Sequence, residues 1–145
     1  MLDATHNTVN NHFLSNGKKV SLYTFLIRDP IVGKGLPIAW AFTASAAEKP
    51  LAVVLQWLRD STGMIPQSVM SDCALAIANA VSHVYQDLRE QAPRHYWCLF
   101  HVLKAFKGQT TTYVRDRSEE AFKEFRSVVY SHVHPITLLN DYLAK

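Results

Sequence analysis

The chain has 145 residues, 48% of them hydrophobic and 19% charged, with a formal net charge of +3. Those figures exclude a disordered or low-complexity chain and bound it to one domain, or part of one, long enough to bury a core. No apolar stretch is long enough to span a bilayer and no cleavable signal stands at the N-terminus. Two cysteines, Cys73 and Cys98, are too few for a disulfide framework, so free thiols in a reducing compartment are expected.

In chain order, residues 1–8 read as the end of a strand, with Asp3 following the apolar Met1 and Leu2. Only two apolar residues precede that acid, so the chain is expected to begin inside an element. Residues 7–19 are polar, with Asn16-Gly17 as a turn signal. Residues 20–27 (VSLYTFLI) are apolar at both parities, the pattern of a central strand buried on both faces. A loop from Asp29-Pro30 to Gly35 leads into residues 36–43 (LPIAWAFT), a third strand antiparallel to the second. Pro50 suits the first turn of a helix carried by Leu51, Val54, Leu55 and Leu58 and ended by Gly63. Residues 67–71 form a short strand that reaches Asp72. Leu75, Ala78, Val81, Tyr85 and Leu88 then give a second amphipathic helix.

Residues 95–100 (HYWCLF) read as a fifth strand. Asp116 or Ser118 caps a third helix bearing Phe122, Phe125 and Val129, Pro135 closes it, and residues 136–143 begin another. The order is β-β-β-α-β-α-β followed by helices. It predicts an α/β fold of ribonuclease H-like type, a mixed five-stranded sheet flanked by helices. On that fold the first and fourth strands lie side by side, so Asp3 and Asp72 face one site. Residues 1–103 make this core and residues 104–145 the start of a helical insertion. Charge is uneven: residues 1–93 balance, while residues 94–126 carry seven Lys/Arg against Asp116, Glu119, Glu120 and Glu124. That segment is either a nucleic-acid-facing surface or a solvated helical face.

An acid at the exit of a buried strand is costly to desolvate, so it takes a partner or a metal. Two on adjacent strands begin a divalent-cation site. The bland reading is that Asp72 caps the second helix and Asp3 sits in a turn.

Several motifs together carry a family resemblance. They are Asp3-Ala4-Thr5-His6-Asn7-Thr8 and Leu36-Pro37-Ile38-Ala39-Trp40-Ala41, then Ser71-Asp72 with Ala74-Leu75 and Ala78-Asn79-Ala80, and finally Cys98-Leu99-Phe100-His101. In this order the chain resembles, over nearly its whole length, the transposase domain of Mutator-like elements (MULE), within the Asp-Asp-Glu (DDE) transposase and integrase superfamily. The resemblance implies that Asp3 and Asp72 are the first two acids of a metal-binding triad. It implies Mg²⁺ or Mn²⁺ as cofactor, transposon-end DNA as partner, metal-dependent DNA cleavage and strand transfer as activity, and the nucleus as location. The third acid is implied on a helix beyond the insertion, and the chain is expected to stop before it. Glu119, Glu120, Glu124 and Glu90 read as solvated. The expectation is therefore a catalytic-domain fragment, inactive alone and prone to self-association. The alternative is a non-catalytic DNA-binding or interaction module of the same descent.

His6 follows Asp3 and is a candidate contact to a metal-bound water or a phosphate. Cys98 and His101 form a CxxH pair near His95, but a structural zinc needs four ligands, and His132 and His134 lack a standard spacing. Zinc is disfavoured, and Cys98 and His101 are kept as family-motif residues near the site. Trp40, Trp57, Trp97, Phe100 and Phe106 read mostly as core. The candidate DNA contacts are Lys104, Lys107, Arg115, Arg117, Lys123 and Arg126. A ribonuclease H-type nuclease of another branch would want acids on the first helix, where only Glu48 and Asp60 stand, at its two ends.

Overall fold

The computed structural model describes residues 2–6, 20–45 and 47–144, with side chains from residue 20 onward. The predicted turn-rich segment, residues 7–19, lies outside the described residues. The chain divides into two compact units, Met1–Cys98 and Leu99–Lys145.

The first unit is mixed α/β. Its strands are β1 (Leu2–His6), β2 (Ser21–Arg28), β3 (Gly35–Thr43), β4 (Ser68–Ser71) and β5 (Arg94–Trp97). They form one sheet in the order β3-β2-β1-β4-β5. β2 is antiparallel to β1 and β3, whereas β4 runs parallel to β1 and β5. Parallel neighbours need crossover connections, and two helices supply them: α1 (Glu48–Thr62) before β4 and α2 (Leu75–Val84) before β5. Leu51 and Leu55 of α1, with Ile77, Ala80, Val81 and Val84 of α2, cluster with Tyr23, Phe25 and Val69 of the sheet.

That packing corrects the reading of β2 as buried on both faces. Ser21, Tyr23 and Phe25 are buried, but Leu22, Thr24 and Leu26 are only half-buried and Ile27 is exposed. Apolar residues at both parities do not ensure two covered faces. β3 shows the same asymmetry: Trp40 is 60% and Phe42 64% exposed, while Thr43, on the core side, is buried.

α1 ends where Gly63 turns left-handed at φ 63° and donates its N–H to the Arg59 carbonyl. A residue with a Cβ is strained there, which is why glycine stops the helix. α2 stops short of the predicted Leu88. Arg59 donates to the Val84 carbonyl at 2.6 Å and grips Asp87 through two bonds of 2.7 and 2.6 Å. The Val84 carbonyl, the helical acceptor for the Leu88 N–H, is bonded to Arg59. The Leu88 N–H turns instead to Tyr85 in a 3₁₀ segment, Gln86–Gln91.

The second unit is helical: α3 (Leu99–Tyr113), α4 (Ser118–Val129) and α5 (Pro135–Leu143). α3 corrects the reading of residues 95–100 as one strand. β5 ends at Trp97, and Leu99 and Phe100 start a helix whose apolar residues continue at Leu103 and Phe106. A short apolar run fits either element until its continuation is counted. α4 begins with no side-chain cap from Asp116 or Ser118, and Pro135 opens α5 instead of closing its predecessor. Phe106 stacks on Phe125 with centroids 4.0 Å apart, and Tyr142 packs beside both while donating to the Ala121 carbonyl. No helix among the described residues is long and apolar enough to cross a membrane.

Candidate functional site

The candidate site grows from one register. β1 and β4 run parallel, with Leu2 paired to Ser71. Asp3 and Asp72 are therefore each one residue beyond a paired position, Asp3 within β1 and Asp72 just past the end of β4, although 69 positions separate them. The side chains of Asp3 and His6 lie outside the described residues.

Asp72 is half-buried. Its Oδ1 accepts the Ala74 N–H at 3.1 Å, which satisfies one donor ahead of α2. Its charge is felt in the core. Burial raises the phenol pKa of Tyr23, and the Asp72 carboxylate raises it further. The Cys73 thiol is likewise pushed up by burial, then by Asp72 and Cys98. A thiol held protonated is a poor nucleophile and a poor metal ligand. Both cysteines are free.

Behind Asp72 lies a contact the sequence did not disclose. Ser71 is fully buried, and its hydroxyl donates to the Asp72 carbonyl at 2.8 Å. His95 Nε2 stands 2.9 Å from the same hydroxyl oxygen. The hydroxyl has one proton and the carbonyl can only accept, so Nε2 carries the hydrogen and donates to Ser71. Burial lowers the His95 pKa, favouring the neutral ring. Alternation along β4 and β5 was the available signal, since Ser71 and His95 share a face when the two strands pair in register.

Cys98 lies just past β5, not in it, and its N–H extends the ladder to the Ser71 carbonyl at 2.6 Å. It closes the first unit. His101 lies in the first turn of α3 in the second unit, with Phe100 edge-on to its ring at 5.4 Å. His132 and His134 are exposed. Among the described residues, no group of three or more His, Cys, Asp or Glu side chains is arranged to hold a metal ion.

Lys104, Lys107, Arg115, Arg117, Lys123 and Arg126 are all exposed in the second unit. Three have local partners. Lys107 sits 5.5 Å over Phe122, Arg126 sits 5.7 Å over Tyr130, and Arg117 pairs with Glu120 at 3.1 Å. Glu119, Glu120 and Glu124 lie on α4, and Glu90 is exposed in the 3₁₀ segment. The aromatic residues read as core are mostly not so: Trp40, Trp57, Trp97 and Phe100 are each at least half exposed. Trp57, for instance, falls off the Leu51–Leu55–Leu58 stripe of α1. No family model, curated protein or solved structure matches this chain.

Proposed function

We propose that the first unit is a ribonuclease H-like scaffold of the Mutator-like transposase type, in which Asp3 and Asp72 together hold a divalent cation. The observation that carries this reading is the parallel pairing of Leu2 with Ser71, the residues directly before the two acids. The expected fold sets the first and fourth strands side by side, and the placing of β1 beside β4 supports the reading. Two carboxylates suit a hard cation such as Mg²⁺ or Mn²⁺ and suit zinc poorly. Such an ion supplies charge stabilisation for displacement at a phosphodiester. The chain's own part is positional: the Ala74 N–H holds the Asp72 carboxylate at Oδ1, and the sheet register fixes the distance to position 3. DNA is the partner in this reading, met non-specifically by the six exposed Lys and Arg of the second unit. The nucleus is the corresponding location. Residues 1–145 bind metal and DNA without cutting, because aligning two ions takes a further acid.

The test is Mn²⁺ titration followed by paramagnetic broadening of backbone NMR signals. Broadening should centre on residues 3 and 72, and either Asp3→Asn or Asp72→Asn should remove it. Broadening that ignores Asp3→Asn would sink the shared site and leave Asp72 with its hydrogen bond to the Ala74 N–H alone. A plasmid-nicking assay with the unmodified chain should show no metal-dependent cleavage.

A further inference from the structure

Asp72, Cys73 and Ala74 join the end of β4 at Ser71 to the start of α2 at Leu75. These residues belong to neither the strand nor the helix, so their polar groups need other partners. The last ladder bond on this side runs from the Cys98 N–H to the Ser71 carbonyl at 2.6 Å. The next carbonyl, that of Asp72, is taken by the Ser71 hydroxyl at 2.8 Å. The carboxylate itself is held at one oxygen, where Oδ1 accepts the Ala74 N–H at 3.1 Å. Among the described residues no hydrogen bond reaches Oδ2.

We infer, given a cation at Asp72 as proposed above, that Ser71 and His95 are positioning residues for it. The hydrogen bonds that run from His95 through Ser71 to the Asp72 carbonyl hold this peptide still and leave Oδ2 to the ion. Ser71 is fully buried, so its hydroxyl must find its partners in the protein. A hydroxyl turns about its C–O bond and can aim its one proton at any acceptor in reach. The Nε2–H of His95, 2.9 Å away, fills a lone pair of Oγ and leaves that proton to the Asp72 carbonyl. Two such bonds in series polarise each other, and each is stronger in a buried site than in water. Strand register delivers the ring. His95 pairs with Val69, and in a parallel ladder it therefore lies on the face that Val69 shares with Ser71. Both groups that bond Ser71 from outside its own segment come from β5 or the residue after it: the Cys98 N–H on its carbonyl and the His95 ring on its hydroxyl. β5, at the end of the sheet order, thus sets where the Asp72 peptide sits. A peptide free to rotate there would swing the carboxylate with it. Groups that orient metal ligands in this way typically govern affinity by about 10–100-fold.

The probe is Mn²⁺ alone, added to the full chain and followed as free Mn²⁺ by electron paramagnetic resonance. Beside it, the carbonyl ¹³C signal of Asp72 is recorded in the metal-free chain. Ser71→Ala should weaken Mn²⁺ binding about tenfold and move the carbonyl signal upfield, since the donor is gone. His95→Leu acts one bond further from the ion and should weaken binding roughly threefold to fivefold, with a smaller upfield move. His95→Gln keeps an N–H donor and should bind within about twofold of the unmodified chain. Ile77→Ala separates positioning from stability: it should lower the urea midpoint and leave both other readings unchanged. If His95→Leu fails to fold, Ser71→Ala decides, because it deletes one oxygen and keeps the strand. The inference is overturned if Ser71→Ala binds Mn²⁺ as tightly as the unmodified chain, or if His95→Gln loses as much as His95→Leu, while Asp72→Asn still removes binding. Absence of Mn²⁺ binding by the unmodified chain overturns the cation reading itself, and this inference with it.

Discussion

The two units are held together by different physics. In the first, Leu51 and Ala80 are fully buried and Ile77, Val81 and Tyr23 nearly so, all in one cluster spanning sheet and helices. In the second, α4 and α5 bury no residue completely, and only Leu103 and Thr110 of α3 are buried. Its helices meet through the rings of Phe106, Phe125 and Tyr142. Apolar area removed from water scales with stability at about 25 cal/mol per Å². The first unit is therefore the stable body that fixes strand register, and the second is a lightly cored carrier of positive charge. The residues proposed for metal need the first property. Residues that only meet phosphates need the second.

The largest effect should come from the first core. Ile77→Ala removes a side chain that is 1% exposed and packed between helix and sheet. It should cost about 2–5 kcal/mol, measured by urea unfolding. A loss below 1 kcal/mol would mean that this core is not the stabilising element, and the comparison would fail.

Phe125→Ala should cost less, roughly 1–3 kcal/mol, since the ring is half-buried and its main gain is one stacked and one tilted partner. Native-state hydrogen exchange sharpens the point. Amides of α4 and α5 should exchange before those of β2 and α1, and Phe125→Ala should speed only the former. Uniform acceleration across both units would show one cooperative body in place of two.

How far the sequence discloses this depends on whether a signal is local. Gly63, Pro50 and the Leu51–Leu55–Leu58 spacing mark α1 because each acts within a few residues. Asp3 and Asp72 could be singled out because each follows a short apolar run, and the β-β-β-α-β order sets their strands side by side. Non-local effects escaped. Where α2 ends, the Val84 carbonyl is bonded to Arg59, 25 positions away. The Ser71–His95 contact depends on the register of two strands that no local pattern reveals. α3 was hidden because Leu99 and Phe100 continue the apolar run of β5. The exposure of Trp40 and Trp57 depends on which face the helices cover, and residue type does not settle that.

The His95–Ser71 contact gives a smaller effect, and its sign is fixed by the shift. Burial lowers the folded-state pKa of His95 below its ordinary value of 6.5. The unfolded chain therefore takes up a proton at a higher pH than the folded one. The stability due to the neutral ring is full above about pH 6.5 and drains away as pH falls from there toward the lowered folded value. His95→Gln can still donate to Ser71 but cannot titrate. Urea midpoints between pH 7.5 and pH 5 should fall for the unmodified chain and fall less for the variant. Parallel curves would show that His95 is not held neutral by the fold.

The smallest effect is expected at the surface of the second unit. Arg117 and Glu120 pair at 3.1 Å, but their side chains are 78% and 60% exposed. An exposed pair gains little in water and loses side-chain entropy on ordering, so the typical net is about 0–1 kcal/mol. Arg117→Ala should leave the urea midpoint within error of the unmodified chain. It should still weaken DNA binding and lower the salt dependence of that binding, because a phosphate-facing cation acts by releasing counterions from the polyanion. Salt-dependent anisotropy on a random duplex separates the two roles. A changed midpoint with an unchanged salt slope would mean that Arg117 serves the fold through Glu120. It would then leave the proposed DNA contacts, and that role would rest on Lys104, Lys107, Arg115, Lys123 and Arg126.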